Sequence, residues 1–209
     1  MCGRYSLTAD VDAMRRLFAF MALPNLAPRY NICPTQTAPI VRPASDGTRE
    51  LAQLRWGIPG GPENRPLINA RGETVMRLPS FRDSFRLRRC LVPADGFYEW
   101  RKEENNQPFR IGLKGGAAFA FAGIWQDDSF TIVTTSANDK LRPIHDRMPV
   151  ILTPESYAAW LDVDAPDFGA ALNLLRSYPP EEMAFYRVGP RVNSARNDDP
   201  ECVAPLNPK

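Results

Sequence analysis

Proline is the residue that most constrains the fold of this chain, since 21 prolines are distributed along its 209 residues. That is about twice the usual share, and a proline inside a helix removes one hydrogen bond and clashes with the preceding turn. The 13 glycines are likewise spread out and form no repeat. The sequence therefore predicts strands and loops rather than a helix bundle. The length suits one hydrophobic core, so we expect a single domain over residues 1–209.

Alternating polar and apolar residues, with β-branched and aromatic side chains, predict a succession of short strands. We expect them at residues 3–7, 38–42, 51–56, 90–92, 97–101, 108–113, 117–125 and 130–135. Short turns at residues 103–106, 114–116 and 127–129 predict antiparallel hairpins between the last four strands. Two segments rich in proline or glycine, residues 25–37 and 57–66, are predicted to be loops.

Helices are predicted at the margins of these strands. Thr8 is a candidate N-cap for an apolar stripe at helical spacing, which consists of Val11, Met14, Leu17, Phe18 and Met21. Ser80 and Asp83 resemble a capping box for a short basic helix. Thr153 before Pro154 marks another helix start, with residues 167–175 helical after it. The predicted fold class is α+β, a mainly antiparallel, barrel-like β-sheet with peripheral helices.

Composition argues against membrane and metal proteins. The longest apolar run, residues 117–125, is far below the roughly 20 residues that span a bilayer, and no charged-then-apolar leader opens the sequence. We therefore expect a cytoplasmic protein with no membrane partner. The four cysteines lack Cys-x-x-Cys spacing and there is one histidine, so we expect no metal site and no cofactor. We expect buried free thiols at Cys33, Cys90 and Cys202.

Charge is distributed unevenly along the chain, although the net charge is only +2. Between Arg65 and Lys102 there are nine Arg and Lys residues against four acidic residues. From Asp162 onward there are eight acidic residues against five basic ones. A basic middle segment predicts a positive face that is able to bind a polyanion.

Cys2 is the most informative residue for chemistry, because a side chain this small permits removal of the initiator Met1. The product is a free 1,2-aminothiol. An α-amine has a pKa of about 7.7 to 8.0, so roughly a quarter is neutral near neutral pH, against about one part in a thousand for lysine. The amine condenses with an aldehyde to an imine, and the thiol then closes a five-membered thiazolidine. The alternative is a small buried cysteine that happens to lie early in a strand.

Polar residues in three short motifs are further candidates. Asn69 and Arg71 lie in LINAR, Glu99 lies in GFYEW, and His145 and Arg147 lie in HDRMP. The Glu99 side chain points away from those of its strand neighbours, so it either faces a cleft, where its pKa rises, or is an ordinary surface acid. The only histidine suits acid and base chemistry near neutral pH, although a structural role is the alternative.

Taken together, the motifs are specific. MCGRY at residues 1–5, RYNICPTQ at 29–36, RWG at 55–57, NARGET at 69–74, RRCLVPADGFYEW at 88–100 and HDRMP at 145–149 resemble the SOS response-associated peptidase (SRAP) family. The resemblance extends to Val192 and Asn193 and to DPEC at residues 199–202, so it covers nearly the whole chain. It implies a sheet-based SRAP fold and covalent binding of abasic sites in single-stranded DNA through Cys2, as part of a DNA damage response.

The resemblance also implies roles for the other candidates. Asn69 would orient the sugar and the terminal amine, Glu99 would assist proton transfer, and His145 would act as acid or base on the opened deoxyribose. Three arginines would contact the DNA backbone, namely Arg4, Arg71 and Arg147. We expect a monomer with lyase-type activity, whose Met1 is removed by an aminopeptidase or by the autopeptidase activity that the family name implies.

One departure from the family pattern concerns an aromatic residue that stacks on a base. Relatives often have one shortly after the WG pair, where this chain has Gly60, Gly61 and Pro62. Trp56 and Tyr30 are the candidates to replace it.

Two other functions are compatible with parts of the pattern. An N-terminal nucleophile amidohydrolase also uses an N-terminal cysteine, in that case to attack an amide, and would release glutamate from glutamine. A noncatalytic DNA-binding module requires only the basic segment, and its binding would survive Cys2→Ala without becoming covalent.

Overall fold

The computed structural model describes residues 2–22, 24–102, 105–165 and 167–206. Four α-helices are found in this part of the chain: α1 (Val11–Phe18), α2 (Pro79–Leu87), α3 (Tyr157–Leu161) and α4 (Gly169–Asn173). None of its helices has the length and apolar character needed to cross a bilayer. Its strands are β1 (Tyr5–Leu7), β2 (Arg29–Ile32), β3 (Thr37–Pro43), β4 (Arg49–Trp56), β5 (Asn69–Arg71), β6 (Arg89–Ala94), β7 (Gly96–Arg101), β8 (Gln107–Leu113), β9 (Phe119–Gln126), β10 (Ser129–Ser136), β11 (Arg147–Pro149), β12 (Ile151–Leu152) and β13 (Met183–Arg187).

The strands form two sheets. The smaller sheet has the order β13-β8-β7-β1-β2, and all its pairs are antiparallel. The larger sheet has the order β11-β10-β4-β3-β6-β9-β12, and a further pairing of β9 with β10 closes five strands into a ring. Strand β10 is parallel to both β4 and β5, and β4 meets it only at Ser129 and Phe130. The predicted α+β class with a mainly antiparallel, barrel-like sheet is confirmed.

Aromatic side chains join the two sheets in the core. The Tyr5 ring on β1 contacts Trp56 of the larger sheet at 5.1 Å and Phe121 at 5.8 Å between ring centroids, both edge-on. Phe97 on β7 contacts the same Phe121 at 5.9 Å. Such pairs stabilise a fold by about 0.5–1.5 kcal/mol each beyond the burial of their area. The two strands that lead toward Cys2 and Glu99 are therefore anchored to the second sheet.

A buried ion pair fixes the relative position of β1 and β7. The Asp95 carboxylate accepts hydrogen bonds from the Ser6 hydroxyl at 2.6 Å, the Thr8 hydroxyl at 2.7 Å and the Arg110 guanidinium at 2.9 Å. A Cβ atom at Gly96 would lie 2.6 Å from Cζ of Arg110, closer than nonbonded carbon atoms approach. Glycine at this position lets the guanidinium lie across the backbone at the start of β7.

Several local predictions were wrong. The N-cap of α1 is Asp10 rather than Thr8, because the Asp10 carboxylate accepts from the backbone N–H groups of Asp12 and Ala13, while Thr8 is held by Asp95. Met21 lies beyond the helix and is 77% exposed. Helix α2 exists, but it has Pro79 in its first turn and no side-chain cap, so the Ser80–Asp83 capping box is absent.

The tertiary arrangement also overturned predictions about loops. The segment predicted as a loop at residues 25–37 contains β2, which pairs with β1. The turn at residues 114–116 does not join a hairpin, since β8 and β9 lie in different sheets. Its Gly115 and Gly116 have φ values of +81° and +72°, which glycine adopts readily. The hairpins β7–β8 and β9–β10 are confirmed, although Glu103 and Glu104 of the first turn lie outside the described residues.

Candidate active site

Cys2 lies just before β1 and is fully buried. Its Sγ atom is 3.9 Å from the carbonyl oxygen of Arg4. Burial, followed by the charge of Glu99, raises the pKa of the Cys2 thiol well above its ordinary value. The side chain is therefore a protonated thiol near neutral pH.

Glu99 reaches Cys2 through the pairing of β7 with β1. Tyr5 pairs with Phe97, and the Tyr98 backbone N–H donates to the Arg4 carbonyl at 3.0 Å. The same register places Glu99 beside the residue that follows Cys2. Glu99 is 4% exposed, and burial raises the pKa of its carboxyl group to about 7. Glu99 thus exchanges a proton most readily near neutral pH.

His145 lies in the turn before β11 and is half-buried. Its Nδ1 atom accepts a hydrogen bond from the Arg147 backbone N–H at 3.0 Å, and the Asp146 carboxylate lies at the same distance from Nδ1. Burial lowers the pKa of His145, so the ring is neutral near neutral pH. A neutral imidazole has one N–H donor and one acceptor nitrogen, so His145 can both give and take a proton.

Asp146, which the sequence did not single out, connects these groups electrostatically. Its carboxylate raises the pKa of His145 and, as a smaller effect than burial, the pKa of Glu99. Since Glu99 in turn acts on the Cys2 thiol, the structure brings Cys2, Glu99 and His145 into one region. The adjacent HDR motif is the only sequence signal that could have indicated Asp146.

Asn69 begins β5, opposite Ile132 of β10. Its Nδ2 atom donates to the carbonyl of Ile68 at 2.9 Å. Its Oδ1 atom is buried and accepts no hydrogen bond from the described residues. Buried polar atoms without a partner are rare, and a ligand is one explanation.

The three candidate arginines have different surroundings. Arg71 is exposed, and its guanidinium group forms no hydrogen bond or ion pair with the part of the chain that the structure describes. Arg147 binds both carboxylate oxygens of Glu73, at 2.5 and 3.0 Å. Arg4 donates to Asn31 at 3.1 Å and to backbone carbonyls of Val192 and Asn193. Arg71 is thus the most accessible of these three arginines. Contact of all three with phosphate stays a prediction.

The segment around Asn193 covers one side of this region, and sequence reasoning missed its role. Besides its contact with Arg4, Asn193 accepts a hydrogen bond from the indole of Trp100 at 2.8 Å. The Asn31 amide donates to the carbonyls of Ser194 and Asn197, at 3.0 and 2.7 Å. The contacts of Arg4 with Asn193 and of Asn31 with Ser194 join residues more than 150 positions apart in sequence, so no local pattern indicated them.

Burial tests the two residues that were predicted to replace the missing aromatic residue. Trp56 is fully buried and its indole N–H donates to the Ile68 carbonyl at 2.9 Å, so it cannot stack on a DNA base, and that suggestion was wrong. Tyr30 is half-buried.

The expected buried free thiols at Cys33, Cys90 and Cys202 are confirmed. Among the described residues, no group of three or more His, Cys, Asp or Glu side chains is placed to bind a metal.

Fold and site together define a class: an α+β protein with a cysteine before a central strand, next to a buried glutamate that titrates near neutral pH. The model of the SOS response associated peptidase (SRAP) family matches residues 1–195. The chain belongs to this family.

Named relatives and solved structures agree with this assignment. Abasic site processing protein YoqW of Bacillus subtilis is 37% identical, covering 97% of this chain and 99% of the relative. Abasic site processing protein HMCES of Pongo abelii is 30% identical, covering 99% and 77%. A crystal structure of a protein from Bacteroides thetaiotaomicron has a TM-score of 0.82 at 26% identity, covering 99% of this chain and 100% of that chain. A crystal structure of a phage-related protein from Bordetella bronchiseptica has a TM-score of 0.75 at 32% identity, covering 90% and 94%.

Proposed function

We propose that this protein processes abasic sites and that, once Met1 is removed, Cys2 crosslinks covalently to such sites in single-stranded DNA. The names of the relatives support the substrate. The observation that carries the mechanism is the position of Glu99, a buried carboxyl group with a pKa of about 7 beside Cys2. Such a group can both give and take the protons that crosslink formation requires.

The chemistry balances without a cofactor. The neutral α-amine of Cys2 attacks the aldehyde carbon of the ring-opened deoxyribose, which forms a C–N bond, and one proton moves from the nitrogen to the former carbonyl oxygen to give a hydroxyl group. Protonation of this hydroxyl by Glu99 releases water and leaves an iminium ion. The Cys2 sulfur then adds to the same carbon, and the thiol proton passes to Glu99, which regenerates the acid. The electron pair of the C=N bond returns to the nitrogen, which completes the neutral thiazolidine without a further proton transfer.

The neighbouring residues have complementary roles. The unpaired Oδ1 of Asn69 accepts a hydrogen bond from the amine or the sugar hydroxyl, which orients the nucleophile. The imidazole of His145 donates a hydrogen bond to the deoxyribose ring oxygen and so assists ring opening. Arg71, Arg147 and Arg4 bind the phosphates on either side.

The state of the thiol favours aldehyde capture over amide hydrolysis. An amidohydrolase needs a thiolate as its first nucleophile, whereas burial and Glu99 raise the pKa of the Cys2 thiol. In aldehyde capture the amine attacks first and the thiol reacts only with the activated iminium carbon. Incubation with glutamine should therefore release no glutamate above background.

The direct test uses purified protein with Met1 removed and a single-stranded oligonucleotide that has one abasic site. We expect a complex that survives denaturing electrophoresis. The same oligonucleotide with a tetrahydrofuran residue at that position lacks the aldehyde and should give no such complex. If both oligonucleotides or neither give the stable complex, the proposal is wrong.

Glu99→Gln should slow crosslink formation and reversal by about 100-fold each. The amide cannot exchange a proton, and the same carboxyl group transfers the proton in both formation and reversal. The wild-type rate of formation should be greatest near pH 7, because below this pH the amine is protonated and above it Glu99 has lost the proton that it gives to the leaving hydroxyl. Single-turnover crosslinking and release into excess competitor measure the two rates. Glu50→Gln, which changes an exposed glutamate on β4, is the control.

The same variant has an expected effect on stability. Because burial raises the pKa of Glu99 in the folded state, its ionisation opposes folding, and wild-type stability falls as pH rises from about 4.5 to about 7. Glu99→Gln removes this cost, so its melting temperature should exceed that of the wild type at about pH 8.5 and match it below about pH 4.5. Wild-type rates in both directions together with this stability change would exclude Glu99 from the mechanism.

Arg71→Ala should weaken binding to single-stranded DNA to a similar extent for every DNA sequence. It should also reduce the steepness of the slope of log affinity against log salt concentration by roughly 0.7. Its exposure and lack of a carboxylate partner among the described residues make it the clearest phosphate contact. Arg147→Ala leaves the Glu73 carboxylate without its ion-pair partner, and this negative charge would itself weaken DNA binding. The phosphate contact of Arg147 is therefore tested with the double variant Arg147→Ala with Glu73→Gln. Arg55→Ala, an exposed arginine on β4, should leave the slope unchanged. A wild-type slope in Arg71→Ala would place the DNA elsewhere.

A further inference from the structure

A cavity of about 600 Å³ opens beside the end of β10, outside the groups assigned to crosslinking. This volume is within the range of small-molecule sites. The hydrophobic part of its wall includes Ile151 and Leu152 of β12 and Leu174. Tyr178, Arg142 and Arg176 contribute an aromatic ring and two guanidinium groups. We call this cavity the β12 pocket.

The walls of the β12 pocket are held together by a buried amide. Asn138 is 7% exposed, and its Nδ2 atom donates to the Tyr178 carbonyl at 2.7 Å while its Oδ1 atom accepts from the Leu141 backbone N–H at 3.0 Å. The first of these bonds joins residues 137–142 to residues 174–180 across the cavity. The backbone at Tyr178 is thereby held in place before any ligand binds, which lowers the cost of binding.

The β12 pocket adjoins the proposed DNA contacts. Ser136, on its rim, pairs directly with Arg147 across β10 and β11. On the other side, a Cβ atom at Gly72 would lie 3.3 Å from Leu175, so the residue between the lining residues Leu174 and Arg176 packs against the turn that follows Arg71. A DNA strand bound by Arg71 and Arg147 would therefore lie close to the pocket.

The chemistry of the lining fits a nucleotide. Tyr178 is half-buried and presents an aromatic ring, the side chain on which unpaired bases stack. Arg176 is exposed and pairs with no carboxylate in the described part of the chain, whereas Arg142 lies 3.3 Å from Asp139 in an exposed pair of little strength. One aromatic ring flanked by two accessible cations is typical of sites that hold a base and its phosphate.

We propose that the β12 pocket binds the base of a nucleotide that flanks the abasic site on the same strand, with Tyr178 stacked on the base and Arg176 on its phosphate. The proposal rests on the proposed function. It predicts that the protein senses one intact neighbouring base even though it reacts with a site that has none.

The test measures equilibrium binding to single-stranded oligonucleotides with an unreactive tetrahydrofuran residue at the abasic position. A second base-less residue is placed in turn at each of the three flanking positions on either side. We expect one position at which loss of the base weakens wild-type binding about tenfold, as removal of one stacking contact does. Tyr178→Leu should bind the ordinary oligonucleotide about tenfold more weakly and show no further loss at that position. Tyr178→Phe should behave as the wild type.

Controls separate this proposal from its alternatives. Arg55→Ala, which lies by Ser129 at the opposite end of β10, should respond to base removal as the wild type does. Equal sensitivity at every flanking position, or a position of strong sensitivity that persists in folded Tyr178→Leu, would overturn the pocket assignment. Binding of free deoxynucleoside monophosphate that depends on Tyr178, without any position effect in DNA, would also overturn it. Failure of the wild type to crosslink a reactive abasic site would instead count against the proposed function.

Discussion

Cys2→Ala is expected to abolish the denaturation-resistant complex with abasic DNA, a loss of about 1,000-fold or more in yield at early times, because a covalent nucleophile is removed. The alanine variant retains the α-amine, so it can form an imine, but no sulfur is present to close the ring. Imines hydrolyse readily, and the complex should therefore appear only after borohydride reduction. Gel electrophoresis with and without reduction distinguishes the two species.

The other three cysteines provide matched controls. Cys33, Cys90 and Cys202 are buried free thiols, and replacing each with alanine should leave crosslinking intact once a thermal melt shows that the variant is folded. Cys2→Ser should form a transient imine that borohydride traps. A stable complex at full yield from Cys2→Ala without reduction would mean that the thiol does not take part.

A chain that retains Met1 is expected to be inactive in crosslinking. The nitrogen of Cys2 is then part of a peptide bond, and its lone pair is delocalised into the carbonyl, so it cannot attack an aldehyde. Any residual yield should equal the fraction of processed chains. The measurement combines intact-protein mass spectrometry with the crosslinking assay on samples prepared with and without an aminopeptidase inhibitor.

The same samples show how Met1 is removed. If Cys2→Ala loses Met1 as completely as the wild type, an aminopeptidase suffices; if only the wild type loses it, the chain removes Met1 itself. A sample in which every chain retains Met1 but crosslinks at the wild-type rate would contradict the role of the amine. The thiol variants and the Met1 samples thus test the two halves of the aminothiol separately.

Much of the fold was predictable because most strands have a local pattern. The strands around residues 38–42, 51–56 and 97–101 have the β-branched, aromatic and alternating residues typical of sheets, and each was found within two residues of its predicted bounds. Strand β2 was missed because prolines flank it and its pairing partner, β1, lies more than 20 residues away. The N-cap at Asp10 was missed because Asp95, distant in sequence, binds Thr8, which local propensity favoured.

The sequence alone determined which chemistry is available: an aminothiol at position 2, one histidine, a glutamate in GFYEW and a basic middle segment. Motifs and composition are local properties, and they also sufficed to predict the family and the α+β class. Only the tertiary structure decided the state of each group. Burial on β7 raises the pKa of Glu99, Glu73 forms an ion pair with Arg147, and Trp56 is buried in the core. Protonation and accessibility depend on desolvation and on partners far away in sequence, which come together only when the chain folds.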